Sequence, residues 1–479
     1  MSPCARQSPL VALVLACACA SPAPSELECT AWSRPDGDRC VLRAWTVPAV
    51  DDALSEPGAR DVQAALGRDG DALVAWAHVV MNADGPVVLA ERRHETWTLM
   101  HALAGPGSGL EPAVAVGDDG AALVTWKQQR EDGAVYLATR DREGRWRWPA
   151  ADAPLSWSET AYEPRVALAP DGEALVLWNQ WTGAHFGVAL GRREAASEGP
   201  FVLPSEPAQL LSPAVNYANA PRLAVGEDGE LLVAWYQAPV DDLMVYVSER
   251  REPGEPPSQP PADGFLSPSG GPVDSHAEAN PWPALHASGV AAVAWTQQHG
   301  EWDFPVYLAT REPDGVWHRP SSIDDTLSRP GAFARCPQVA FASAVDADEP
   351  VLFVTWFETR GDETTVHVWQ GSSDRTGIAE PIALSSPGAE AVHPALGVGP
   401  RGGMVVAWAE REGDARWRVV ARRYQPHTDA WLPSEPLSLP VAGLAPTPVI
   451  AVAPDSERVL VAWAQGGVLD GRVYVAELP

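Results

Sequence analysis

The chain has almost no lysine: Lys127 is the only one among 34 basic residues, set against 63 Asp and Glu for a formal net charge of −29. A surface of that sign excludes the basic field that nucleic acid requires. It also excludes plain electrostatic attraction to anionic lipid. One amine is left for any lysine-dependent chemistry. Other things are missing too. Beyond the first twenty residues no apolar run is long enough for a membrane-spanning helix, and no long segment shows helical periodicity. The H-E-x-x-H, G-x-S-x-G, P-loop and dinucleotide fingerprints are absent, so no cofactor is expected. Phe and Tyr number eight each, yet Trp reaches 21. Tryptophan in such excess points to one structural position used many times.

The N-terminus reads as an export signal. A single charge, Arg6, precedes an apolar run from Pro9 to Ala20, too short to span a bilayer and shaped like a signal-peptide core. Val14-Leu15-Ala16-Cys17 resembles a bacterial lipobox. The resemblance implies that residues 1–16 are removed and that Cys17 is acylated, which would anchor the protein to the cell envelope, at the outer membrane. Cys19 offers a second register, and cleavage near Ala20 without lipid is the alternative. Residues 17–40 then form a tether, and an oxidising compartment lets Cys29 pair with Cys40. Cys336 has no evident partner and reads as a buried thiol. Residues 41–479 form one domain, expected to be monomeric.

That domain is a repeat. Trp76, Trp126, Trp178, Trp235, Trp295, Trp356, Trp408 and Trp463 follow one another at intervals of 50 to 61 residues. This period suits a four-stranded propeller blade. Each unit opens with an alternating apolar segment, such as Ala113-Val114-Ala115-Val116, and turns at Asp119-Gly120 or its equivalents Asp69-Gly70, Asp171-Gly172 and Asp228-Gly229. These are two-residue hairpin signals with both positions at positive φ. A second strand ends at the Trp, a third follows at Val135-Tyr136-Leu137-Ala138, and a fourth begins at Trp97, Trp146, Trp317 or Trp431. The last unit stops after its third strand, while residues 44–55 resemble a fourth. The expected fold is therefore an all-β, eight-bladed propeller of four-stranded antiparallel blades, its last blade completed by the N-terminal strand. Seven blades remain the alternative if one unit packs outside the ring.

The succession of alternating strand, D-G turn, V-x-W strand, V-Y-x-A-T-R strand and G-x-W resembles the Asp-box repeats of sialidase-like propellers. Residues 139–146 and 310–317 look like degenerate Asp-boxes. The resemblance implies a propeller and, as one alternative, glycoside hydrolysis. Its catalytic residues do not carry over, because there is no Arg-Ile-Pro segment and the units number eight. A quinone-dependent dehydrogenase is a further alternative, since eight blades with regular outer tryptophans resemble that family.

Pairing the first two strands about the turn sets Glu111 opposite Gln128. It likewise sets Asp61 opposite His78, Glu163 opposite Gln180, Ala220 opposite Gln237, Asn280 opposite Gln297, and His393 opposite Glu410. Each pair is 17 residues apart. Cys336/Glu358 and Thr447/Gln465 are looser equivalents. These residues should ring one mouth of the channel, either bonding neighbouring blades or binding a ligand. Asp61/His78 and His393/Glu410 are the acid–histidine pairs, suited to proton transfer or ion binding. Arg165 and Arg222 should lie opposite Trp178 and Trp235. Asp346, Asp348 and Glu349 form an acidic group that either meets calcium or is a charged insertion; no metal motif is present. Repetition of this kind favours a binding or scaffold module for a protein or glycan, with no demonstrable catalytic set.

Overall fold

The computed structural model describes residues 32–479 except 37–38, 81–84, 104–106, 130–132, 158–159, 196–198, 214–216, 239–242, 269–280, 301, 330, 343–349, 374–379, 412 and 414–415. Cys17, Cys29, Asn280 and the acidic group at 346–349 lie outside the described residues. Eight antiparallel sheets form a ring, an eight-bladed β-propeller. The innermost strands are Ala59–Leu66, Ser108–Val116, Ala161–Leu168, Ala218–Val225, Trp282–Leu285, Phe333–Ala342, Glu390–Val398 and Val449–Val452. Each packs against the next, and the last packs against the first, around a central channel.

The repeated tryptophans explain why the blades associate. All eight are buried. Each lies in an apolar cluster shared between its own blade and the one before. Trp235, for example, packs on Leu175 and Leu177 of the third blade, and Trp76 of the first on Leu460 and Ala462 of the last. There are eight such clusters among the described residues, one at each blade junction. Within blades the tryptophan stacks on an aromatic ring of the third strand. Examples are Trp126 on Tyr136, Trp295 on Tyr307 and Trp356 on His367, each with ring centroids 5.8 Å apart.

A Leu-Ser pair recurs beside the third strand of the second to eighth blades. In the second blade Leu155 N donates to Val135 O at 2.7 Å, and Ser156 Oγ accepts from Val135 N at 3.2 Å. The same device uses Ser212, Ser267, Ser328, Ser385 and Ser438. In the eighth blade the pair comes from the other end of the chain: Leu54 N donates to Val473 O and Ser55 Oγ accepts from Val473 N, at 2.8 and 2.9 Å. Thr46 and Glu477 exchange both backbone bonds beside it, at 2.7 and 3.1 Å. The N-terminal segment thus completes the last blade and removes two open sheet edges. Trp32 is buried between the last two blades and donates its indole N–H to Tyr424 O at 2.8 Å.

Two local features correct the pairing expected from sequence. The first hairpin of the second blade turns over three residues, because Gly117 N bonds Ala121 O and Gly120 N bonds Gly117 O. Gly120 alone takes positive φ, at 80°. This is a type I turn closed by a left-handed glycine, and it shifts the register by one. The second feature is a β-bulge near the start of the inner strand: Leu110 pairs with Lys127, but Ala113 pairs with Thr125. The two shifts add. Gln128 therefore faces Gly109 rather than Glu111, His78 faces Ala59, and Gln180 faces Ala161. Glu410 faces Ala391 by the same displacement.

Candidate functional site

The bulge singles out the residues that sequence pairing had placed in the ring. Asp61, Glu111, Glu163, Ala220, Cys336 and His393 all hold φ between 52° and 55°, the left-handed region that costs a non-glycine residue roughly 1–2 kcal/mol. In five of the six a proline follows, at 112, 164, 221, 337 and 394. The side chains of Glu111, Glu163 and His393 reach sideways to the next blade. Glu111 accepts the backbone N–H of Glu163 at 2.6 Å, and Glu163 accepts that of Ala220 at 3.0 Å. His393 Nδ1 lies 3.2 Å from Pro446 O and 3.4 Å from Thr447 Oγ1.

The residues two places after the tryptophans do something different. Gln128, Gln180, Gln237, Gln297 and Gln465 accept the indole N–H of their own blade's tryptophan at 2.9–3.3 Å, as do Glu358 and Glu410. Where amides occupy the position, their N–H groups donate to backbone carbonyls. Gln237 bonds Pro213 O at 2.9 Å and Gln297 bonds Pro268 O at 2.8 Å. Gln128 bonds Gly107 O. In the first blade His78 occupies this place, and the Trp76 indole N–H has no acceptor among the described residues. Neither expected acid–histidine pair is a ladder pair. Asp61 lies beside Arg60 at 3.5 Å, and Glu410 takes the Arg418 guanidinium at 2.8 Å. Cys336 is half-buried rather than buried, and Cys40 is disulfide-bonded.

The mouth of the channel is not symmetric. A shelf of aromatic and amide side chains covers the third and fourth blades. Phe186 sits at its centre, with ring centroids 4.8 Å from Tyr162, 4.9 Å from Trp181 and 5.7 Å from Tyr217. The Tyr162 and Tyr217 hydroxyls are 3.1 Å apart. Asn219 Nδ2 donates to Tyr217 and Tyr236 at 2.7 and 3.1 Å, and Asn179 Nδ2 donates to Asn219 Oδ1 at 2.6 Å and Glu163 Oε2 at 2.8 Å. The chain's one lysine stands at the shelf's edge, 3.6 Å from Glu111 and over the Tyr162 ring. Burial pushes the Tyr162 hydroxyl far above its usual range, with Tyr217 adding to the shift. Burial also raises Glu163. Beside the shelf a cavity of about 490 Å³ opens between Asp61, Gln63, Glu111, Arg165 and Thr447. The sequence reading passed over this shelf because its rings come from strand ends and loops with no common spacing.

The opposite face carries a larger cleft of about 750 Å³, where three of the lining arginines are held by carboxylates. Arg92 pairs with Glu477, Arg68 with Asp118 at 2.6 Å and Arg142 with Asp119 at 2.5 Å. The Asp-box-like turn lies on this side. Asp141 Oδ1 accepts Arg145 N at 2.9 Å, and this hydrogen bond holds its carboxyl below the usual range.

No protein-family model matches the chain, and neither does any curated protein. Solved structures with a similar course include an ulvan lyase of polysaccharide lyase family 25, at 8% identity over 75% of this chain and 90% of that one, with a TM-score of 0.46. A mutant sialidase from Streptococcus pneumoniae is 10% identical over 76% and 68% of the two chains, with a TM-score of 0.41. The propeller domain of the Trilobed protease from Pyrococcus furiosus is 8% identical over 80% and 99%, also at 0.41. At these scores the likenesses assign no chemistry to this chain.

Proposed function

We propose that the protein is an exported, lipid-anchored propeller that binds a glycan on the shelf of its third and fourth blades without cleaving it. The observation that carries the reading is the cluster of Tyr162, Trp181, Phe186 and Tyr217 beside Asn179 and Asn219. Aromatic faces accept the C–H face of a sugar ring, while amides and phenols exchange hydrogen bonds with its hydroxyls. Tyr217 is exposed enough to be met from solvent, at 40%. Binding is favoured over hydrolysis because the two carboxylates nearest the shelf are engaged. Glu111 is held by Lys127 and the Glu163 N–H, and Glu163 by Asn179 and the Ala220 N–H. Hydrolysis requires a free pair of acid and base flanking the bond.

The test is a glycan array probed with the mature protein and its Tyr217→Ala variant. The reading expects retention of a saccharide class by the wild type, at least tenfold weaker in the variant and with no released product. Equal retention by both proteins, or shortening of the bound saccharide, would refute it.

A further inference from the structure

We propose that the central channel is a binding site for a small oxyanion, gripped between the guanidinium groups of Arg165 and Arg222. The ligand chemistry is that of sulfate or phosphate, or of the acid group on a charged saccharide. The site is independent of the glycan reading above.

Arg165 and Arg222 hold the same place in adjacent blades, two residues after the left-handed bulge residues Glu163 and Ala220. At that place the other described inner strands carry Gln63, Ala113, Trp282, Gln338, Ala395 and Val449, none of them charged. At this position, among the described inner strands, only the third and fourth blades carry cations, and these two blades are adjacent. Arg165 lines the 490 Å³ cavity at the channel mouth. Its single hydrogen bond among the described residues runs from Nη1 to its neighbour's carbonyl, Pro164 O, at 2.9 Å, and its Nε has no acceptor. Arg222 makes no hydrogen bond or ion pair among the described residues, and its Nε is buried.

Sequence pairing expected each guanidinium to stack on the tryptophan of its own blade. The three-residue turn places them instead opposite Leu177 and Ala234. Arg222 crosses to the fifth blade and lies 4.7 Å from the centre of the Trp282 ring. That contact satisfies the flat face of the guanidinium. It leaves the in-plane N–H donors of the guanidinium without an acceptor among the described residues. A buried cation without an acceptor is costly. Burial lowers Arg165, and burial followed by repulsion from Arg165 pushes Arg222 down to about 9. Glu163 and Glu111 attract these cations from a distance, but their oxygens are taken by the Asn179, Ala220 and Glu163 N–H groups and by Lys127. A fork of two guanidinium edges matches the geometry of a multidentate oxyanion.

The experiment follows thermal unfolding of the full mature chain at constant ionic strength. Sodium chloride is replaced by sulfate, phosphate or glucuronate, with glucose as the uncharged control. The wild type is compared with the Arg165→Gln/Arg222→Gln double variant. Sulfate stabilises most proteins through exclusion from their surfaces, so the difference between the two proteins is the readout. The wild type should gain about 3 °C more than the variant at saturating anion. A gain with sulfate and phosphate identifies a free inorganic ion. A gain with glucuronate alone identifies the acid group of a saccharide. Equal shifts in both proteins under every anion would overturn the proposal. If the double variant does not fold, calorimetric titration of Arg222→Lys with the same anions decides. At least tenfold weaker binding than in the wild type supports the site, and unchanged affinity or no binding to the wild type overturns it. Tyr217→Ala should leave the anion response intact, which separates this result from the fate of the glycan reading.

Discussion

Substituting Gln237 by Met asks whether the polar residue after each tryptophan belongs to the scaffold. Gln237 is fully buried; its carbonyl accepts the Trp235 indole N–H at 3.0 Å and its amide donates to Pro213 O at 2.9 Å. Methionine fills nearly the same volume and can serve neither partner. An indole N–H and a backbone carbonyl are then left buried and unsatisfied, each at about 1–3 kcal/mol. Allowing for local relaxation, the expected loss is about 2–4 kcal/mol. Urea unfolding should show a lower midpoint with an unchanged slope. Adding Trp235→Phe removes the indole donor, so the cycle should return a coupling energy of about 1 kcal/mol. A loss below about 0.5 kcal/mol, the size expected of a surface change, would refute the reasoning. So would zero coupling between the two sites.

Glu163 gives the fold a pH signature. Burial raises its carboxyl above 4.5, so the folded state holds the proton more tightly than the unfolded chain. Its contribution to stability is complete below about pH 4.5 and is lost as pH rises through the folded value. Relative to the neutral Glu163→Gln variant, the wild type should therefore lose stability on going from pH 4 to 7. Parallel Tm profiles for the two proteins would contradict this. For the anchor, Cys17→Ser should move the protein from the membrane fraction to the soluble one; unchanged fractionation would refute lipid attachment.

Much of the ring was legible because the determinants repeat. The eight tryptophans, the glycine turns and the likeness of residues 44–55 to a fourth strand point to eight closed blades. The Leu-Ser pair, present at 54–55, 155–156 and 211–212 and again in later units, is a sharper closure signal than any of these. Register was less legible. Counting outward from a turn assumes that no residue is skipped, and one extra turn residue plus one bulge residue moved the pairs by two in the first, second, third, fourth, sixth and seventh blades. The prolines at 112, 164, 221, 337 and 394 marked the bulge, since a proline cannot donate to the ladder. The shelf was not legible at all. Trp181, Phe186 and Tyr217 sit at unlike places in two blades and meet only through the curvature of the ring.

Whether the two ends of the chain share one sheet can be measured covalently. Cysteines in place of Thr46 and Glu477, which face each other as a backbone-bonded pair, lie within the span a disulfide can bridge. A closed eight-bladed ring predicts rapid oxidation to an intramolecular crosslink in the monomer, with native stability retained. Failure to crosslink, or crosslinks that form only between molecules, would contradict it.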